Sequence, residues 1–211
     1  MNIGNSILAI SKWADEKICS QVKFKRADND YQDVRYSKDY VNPKVFSLFV
    51  PPGSFTERVE AASPFLCVQL LQGEESIATG WRRMRFRFVF SVWNPGVHEN
   101  LDLYVYKGYR GDFKFPFVRC NDKKTFTPTD DGWLDLCNFM DVALTSLEEG
   151  ELPEGMTLNR SEKGMSDEDH RLRYGVFWPG DSASSSWPYF SGWMEFTLEG
   201  RISGTRDMED F

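Results

Sequence analysis

Apolar and polar residues alternate most regularly over residues 82–92. One set of positions is apolar throughout, and the other begins with three arginines. A two-residue period is typical of a β-strand with one face in the core, because successive side chains point to opposite faces. We therefore predict a strand with one buried and one charged face. The apolar set is Met84, Phe86, Phe88, Phe90 and Val92, and the alternate set is Arg83, Arg85, Arg87, Val89 and Ser91.

Two apolar runs precede this segment. Residues 45–50 predict a short strand that ends at a Pro-Pro-Gly sequence. Residues 65–71 are almost continuously apolar, which is typical of a central strand covered on both faces. The Gln-Gly-Glu-Glu sequence at residues 72–75 then predicts a turn, which would place Glu74 and Glu75 in a polar loop over residues 73–80.

Strand patterns return near the end of the chain. Residues 156–158 predict the start of a strand and residues 159–169 a polar loop. Residues 172–178 alternate, as do residues 190–198, which we interpret as a final edge strand. Its inward positions are expected to be Phe190, Gly192, Met194, Phe196 and Leu198.

Helical spacing marks two segments. Residues 3–18 predict a first amphipathic helix, and the Thr129-Asp130-Asp131 sequence predicts the start of a second one that runs to Gly150. The apolar stripe of the first is Ile3, Ile7, Ile10, Ala14 and Ile18. That of the second is Trp133, Leu136, Cys137, Met140, Leu144 and Leu147.

The order helix, strands, helix, strands predicts an α+β fold, with an antiparallel or mixed sheet and both helices packed on one face. A chain of 211 residues is long enough for one well-packed domain, which we place at residues 1–203. Residues 95–120 are interpreted as an insertion that forms an aromatic-rich hairpin, and residues 204–211 as an acidic flexible tail.

The net charge of −7 argues against general binding to nucleic acid or to an anionic membrane, since both need a basic surface. No apolar stretch approaches the roughly 20 residues that span a bilayer, and the N-terminus lacks a secretory pattern, so we expect a cytoplasmic protein. Its four cysteines are scattered. In a reducing compartment we expect Cys67 and Cys137 to be buried small hydrophobes.

Catalytic signatures are missing from the sequence. The two histidines, His98 and His170, lie in predicted turn and loop segments, away from any nucleophile motif. The spacings of zinc, nucleotide and dinucleotide sites are absent. Neighbouring acids such as Asp130 and Asp131 are better explained as helix caps than as a catalytic pair or calcium ligands. We therefore expect a protein that is not an enzyme and that has no cofactor or metal.

Three blocks of sequence carry a resemblance to a known family. They are residues 64–74, the helix-opening segment Asp130-Asp131-Gly132-Trp133, and residues 187–194 with Trp187 and Trp193. In this order they resemble the tail-terminator and tail-completion proteins of long-tailed bacteriophages and prophages. The resemblance covers residues 64–93 and 129–199, and the hairpin insertion departs from the family pattern.

The resemblance implies a structural subunit that closes as a hexameric ring on the head-proximal end of a phage tail. Such a ring stops tail polymerisation and presents a surface for head-tail joining. The implied partners are further copies of the chain, the tail tube protein and the head-tail connector protein. DNA would pass through the lumen with at most non-specific contacts, no membrane would be involved, and the subunit would lie in the host cytoplasm before assembly.

A ring subunit needs complementary faces, and the Arg83, Arg85 and Arg87 row is the first candidate. We hypothesise that it meets acids of a neighbouring subunit, such as Glu74, Glu75, Glu148, Glu149 or Glu195, or faces the lumen. The alternative is that it pairs across strands within its own sheet or is solvated. Trp187 and Trp193 are expected either to anchor an interface or to pack in the core.

Other classes of function remain open from the sequence. A different neck or tail component, such as a head-closure or tube subunit, would share the assembly role. A carbohydrate-binding module is another alternative, with Trp93, Tyr104, Tyr106 and Tyr109 as its stacking platform.

Overall fold

Two α-helices and ten β-strands occupy the part of the chain that the structure describes. In this computed structural model the described residues are 2–27, 40–51, 62–98, 126–127, 131–149, 151–159, 172–177 and 188–201. The elements in chain order are α1 (Ile3–Lys17), β1 (Phe24–Lys25), β2 (Tyr40–Val41), β3 (Lys44–Ser47), β4 (Phe65–Ser76), β5 (Trp81–Trp93), β6 (Val97–His98), β7 (Phe126–Thr127), α2 (Asp131–Glu148), β8 (Thr157–Leu158), β9 (Arg173–Val176) and β10 (Tyr189–Arg201).

Helix α1 forms where its spacing predicts. The side chain of Asn2 caps its first turn by accepting from the backbone N–H of Gly4 at 2.9 Å. Ile10 and Ala14 are fully buried, whereas Ile3 is 48% exposed, so the stripe reaches the core only from the second turn onward.

Helix α2 was also predicted, but one position of its buried stripe was wrong. Phe139 and Ala143 are fully buried, whereas Cys137 is exposed. The stripe therefore follows positions 136, 139, 140, 143 and 147, the set that stays on one side of a helix with 3.6 residues per turn.

A mixed six-stranded sheet forms the second layer of the fold. Its strand order is β3-β4-β5-β10-β8, and β9 also pairs with β10. Strands β3 and β4 are parallel, and the other pairs are antiparallel. The predicted α+β class is thus confirmed.

The turn between β4 and β5 lies five residues later than the sequence suggests, over residues 77–80 instead of 72–75. Strand β4 continues to Ser76 with Glu74 opposite Arg83 and Glu75 opposite Arg82. A bulge between Leu70 and Gln72 interrupts the register. The polar residues 72–75 are strand residues because they pair with β5, and the chain reverses over residues 77–80 instead.

The last strand is not at the edge of the sheet, contrary to our interpretation. Strand β10 lies between β5 and the two short strands β8 and β9. Its alternation was predicted correctly, since Phe190, Met194, Phe196 and Leu198 are buried.

Both helices cover the same face of this sheet. Their apolar residues join the inward residues of β4, β5 and β10 in one cluster, in which Phe139 of α2 packs against Phe90 with ring centroids 5.0 Å apart. The positions Met84, Phe86, Phe88, Phe90 and Val92 are all buried, as predicted. The opposite face of the sheet, which we call the helix-free face, carries the alternate positions.

Several predictions fall outside the described residues. They concern the hairpin over residues 101–119, the loop over residues 160–169, Asp130, Trp187 and the tail over residues 204–211. The pair of β6 and β7 lies in the sequence on either side of residues 99–125.

Candidate functional site

The arginine row lies on the helix-free face. Because β5 alternates, Arg83, Arg85 and Arg87 project opposite to the buried phenylalanines. Their side chains are 38%, 29% and 36% exposed. The row is therefore half-buried within its own sheet rather than extended into solvent.

The buried carboxylate of Glu195 on β10 forms ion pairs with two of these arginines. Glu195 has a side chain that is 8% exposed, and its Oε1 accepts from Nε of Arg87 at 2.9 Å, while its Oε2 accepts from Nη2 of Arg85 at 2.5 Å. Arg83 pairs with Glu199 at 3.3 Å. We call this set, Arg83, Arg85, Arg87, Glu195 and Glu199, the charged ladder.

The pairing shifts the protonation of Glu195. Burial raises the pKa of its carboxyl group, but hydrogen bonds and charges from Arg87 and Arg85 outweigh burial and hold the pKa below its usual value. The carboxylate is thus ionised at neutral pH and neutralises part of the arginine row. The alternative that the row pairs across strands within its own sheet matches this geometry.

Of the predicted acidic partners, Glu195 pairs with the row inside its own sheet, whereas Glu74 and Glu75 lie elsewhere. Glu75 contacts Arg82, which points to the helix side of the sheet, and Glu74 accepts a hydrogen bond from Gln72 at 3.2 Å. Both acids are exposed in the second half of β4. Their contact with a neighbouring subunit stays a prediction.

Trp193 lies on the helix-free face against β9. A Cβ atom built on Gly175 would approach Cζ2 of Trp193 to 3.3 Å, so the glycine leaves room for the indole. The Trp193 side chain is half-buried in the chain's own sheet.

The Asp-Gly-Trp block packs directly against the block that contains Phe190. A Cβ atom on Gly132 would come within 2.1 Å of Cε2 of Phe190, so only glycine fits at this position. Trp133 contacts the same ring edge-on, with centroids 4.9 Å apart. Asp131 is the first residue of α2, where a negative charge favours the helix dipole.

Gly192 brings α2 and β10 close together about two helical turns further along. A Cβ atom there would lie 2.9 Å from Sδ of Met140 and 3.0 Å from the carbonyl oxygen of Gly175. Two of the three resemblance blocks therefore form one packed junction, in which glycines set the distance between helix and sheet.

A polar cluster at the end of β5 was missed by the sequence analysis. Nζ of Lys25 donates to Oδ1 of Asn94 at 2.8 Å and to the carbonyl oxygen of Gly96 at 3.1 Å. Nδ2 of Asn94 donates to Oδ2 of Asp135 at 2.7 Å. The partners of Asn94 come from β1 and α2, which no local pattern identifies.

Burial shifts both ionisable groups of this cluster. It lowers the pKa of the Lys25 ammonium group against the attraction of Asp135 and Asp131, and it raises the pKa of the Asp135 carboxyl group against the hydrogen bond from Asn94. The cluster ties three elements together beside the start of β6.

The cysteine prediction is half confirmed. Cys67 is buried, and burial raises the pKa of its thiol to about 11, which makes it a weak nucleophile at neutral pH. Cys137 is exposed on α2, so the prediction of burial was wrong there.

Within the described ranges, no group of three or more His, Cys, Asp and Glu residues is arranged to hold a metal ion. None of the described helices is long and apolar enough to cross a bilayer. Compared with protein-family models and with curated proteins, the chain shows no significant match.

Proposed function

We propose that this chain is a structural subunit of a bacteriophage or prophage particle, a non-catalytic tail-terminator-like protein. In this role it would form a ring at the head-proximal end of the tail, end tail polymerisation and provide the surface for head-tail joining. Its partners would be further copies of itself, the tail tube protein and the head-tail connector protein.

The observation that carries the proposal is the junction between α2 and β10. The resemblance to tail-terminator proteins rests on blocks far apart in sequence, and Gly132, Trp133, Phe190 and Gly192 of two of these blocks meet in space. The third block forms the buried start of β4 in the same sheet. An α+β domain with both helices on one face supports the same assignment.

One of the four aromatic residues expected to stack on a sugar in the carbohydrate-binding alternative is not accessible. Trp93 is fully buried and presents no ring face on which a sugar could stack. Tyr104, Tyr106 and Tyr109 lie outside the described residues.

Removal of the coding sequence from the genome that carries it tests the proposal. We expect tails of irregular, excessive length that are not joined to heads, counted by negative-stain electron microscopy. Supply of the wild-type chain from a plasmid should restore tails of one length, which controls for effects on neighbouring genes. Normal, fully joined particles without the chain would contradict the proposal.

A further inference from the structure

The second half of β4 is an exposed sheet edge. Strand β3 pairs only with the first half of β4, as far as Ser47 opposite Val68. Residues 71–76 are all exposed. Among the described residues, no strand covers this part of the edge.

The backbone of this edge has donors and acceptors that point outward. Across β4 and β5, residues alternate between those that bond to β5 and those that face away. Lys44 and Leu48 donate to the carbonyl oxygens of Pro64 and Val68, so even positions face outward before the bulge. The bulge shifts this alternation by one residue, which turns Gly73 and Glu75 outward. Such a row of backbone groups can accept an additional strand.

Among the described residues, β9 forms an edge on the other side of the sheet. Its inner side pairs with β10, where Arg173 is opposite Glu195 and Tyr174 is opposite Met194. Tyr174 is 59% exposed. In the described part of the chain, no carboxylate lies within 4.0 Å of the Arg173 guanidinium. Its cross-strand neighbour Glu195 forms ion pairs with Arg85 and Arg87 instead.

We propose that the exposed edge of β4 pairs with β9 of a second copy of this chain. The side chains of the two edges are complementary on each face of the sheet. Glu74 shares the helix-free face with its cross-strand neighbour Arg83, and Arg173 shares that face with Glu195, so the two opposite charges meet on one face.

On the helix side of the sheet, the edge of β4 and the edge of β9 are complementary in shape. Gly73 lies opposite Met84 and has no side chain to cover the edge. Tyr174 projects to the same side of the sheet as Met194. An aromatic ring from the added strand covers an edge glycine in the way that aromatic residues do in paired strands.

Pairing of two β4 edges with each other is disfavoured. Glu74 and Glu75 would then approach the same acids of the other copy, and like charges opposite one another destabilise a strand pair. A contact between two different edges is head-to-tail and generates a ring when the rotation closes. The inference rests on the proposed function, which requires a ring of identical subunits, and it names the surfaces that form it.

Gly73→Pro tests the edge directly. Proline removes the outward N–H and is tolerated on an edge strand whose N–H faces solvent. Gly73→Ala is the matched control, because a Cβ atom there lies 3.7 Å from the carbonyl oxygen of Arg83, an ordinary contact distance, and the N–H remains. Light scattering gives the concentration at half-association, and a thermal melt confirms that each variant folds.

Gly73→Ala should retain most of the wild-type self-association, because the outward N–H remains and only a methyl group is added, and Gly73→Pro should weaken self-association by about tenfold or more for each junction. A folded Gly73→Pro variant that associates like the wild type would overturn the inference. So would a wild-type chain that stays monomeric at every concentration. Neither result bears on the tail-length phenotype, so failure of this inference is distinguishable from failure of the proposed function.

A charge exchange identifies the partner edge. Arg173→Glu and Glu74→Arg should each weaken self-association, and the double variant should recover most of the loss, because the pair is restored with reversed signs. Two single losses that add up without recovery would show that β9 is not the strand that β4 contacts.

Discussion

At the scale of single residues, two glycines determine how closely α2 approaches β10. Gly132 faces the ring of Phe190, and Gly192 faces Met140 and the backbone of Gly175. The ring of Phe190 is also held by Trp133, so it has little freedom to move aside. These positions were singled out from the sequence as a motif, and the structure gives the steric reason for them.

Gly132→Ala should destabilise the fold. The added methyl group overlaps the Phe190 ring, and such overpacking typically costs about 1–3 kcal/mol in the free energy of unfolding. Urea denaturation followed by tryptophan fluorescence measures the change. The control is Gly73→Ala, whose Cβ meets no atom closer than 3.7 Å. Equal stabilities of the two variants would refute the steric explanation.

At the scale of elements, the charged ladder joins β5 to β10 on the helix-free face. Glu195 lies opposite Arg87 in the register and also contacts Arg85, so one buried carboxylate links two arginines across the strand pair. Removal of a buried charge partner leaves the remaining charges incompletely compensated. The ladder therefore contributes to the stability of the sheet itself.

Glu195→Gln should lower the free energy of unfolding by roughly 1–3 kcal/mol at pH 7. The folded-state pKa of Glu195 is below its ordinary value of 4.5, so its contribution is full above about pH 4.5 and is lost as the pH falls through the folded-state pKa. The difference between variant and wild type should therefore shrink in acid.

Urea unfolding at a series of pH values from 3 to 7 provides this measurement. Glu154→Gln is the control, since Glu154 is an exposed residue after α2 and its substitution should change stability by less than about 0.5 kcal/mol. A stability difference for Glu195→Gln that stays constant across the pH range would show that the effect is not electrostatic.

At the scale of the whole molecule, the chain should associate with itself in a salt-dependent way. The proposed junction joins acidic residues of β4 to Arg173 near the surface, where salt screens charge over about 8–10 Å at moderate ionic strength. Light scattering across a wide concentration range should therefore give a larger mass at low salt than at high salt. A mass that is independent of both concentration and salt would argue against a charged self-contact.

The sequence predicted much of the fold and less of the site. The alternation in β5 and the helical spacing in α1 and α2 were sufficient to predict these three elements. In each of them one face is buried, so apolar residues recur with the period of the strand or helix. The turn after β4 was misplaced because residues 72–75 are exposed on both faces, where no hydrophobic period marks a strand. Cys137 was wrongly predicted to be buried because it lies next to Leu136, at the border of the buried stripe of α2.

The sequence by itself determined the two helices, the class of fold and the faces of β5 and β10 that enter the core, since burial of one face imposes a local period. Only the tertiary structure decided which charges meet. The choice of Glu195 for Arg85 and Arg87, and of Asn94 for Lys25, depends on strand order and register. These contacts join residues far apart in the chain, and a local pattern carries no information about such partners.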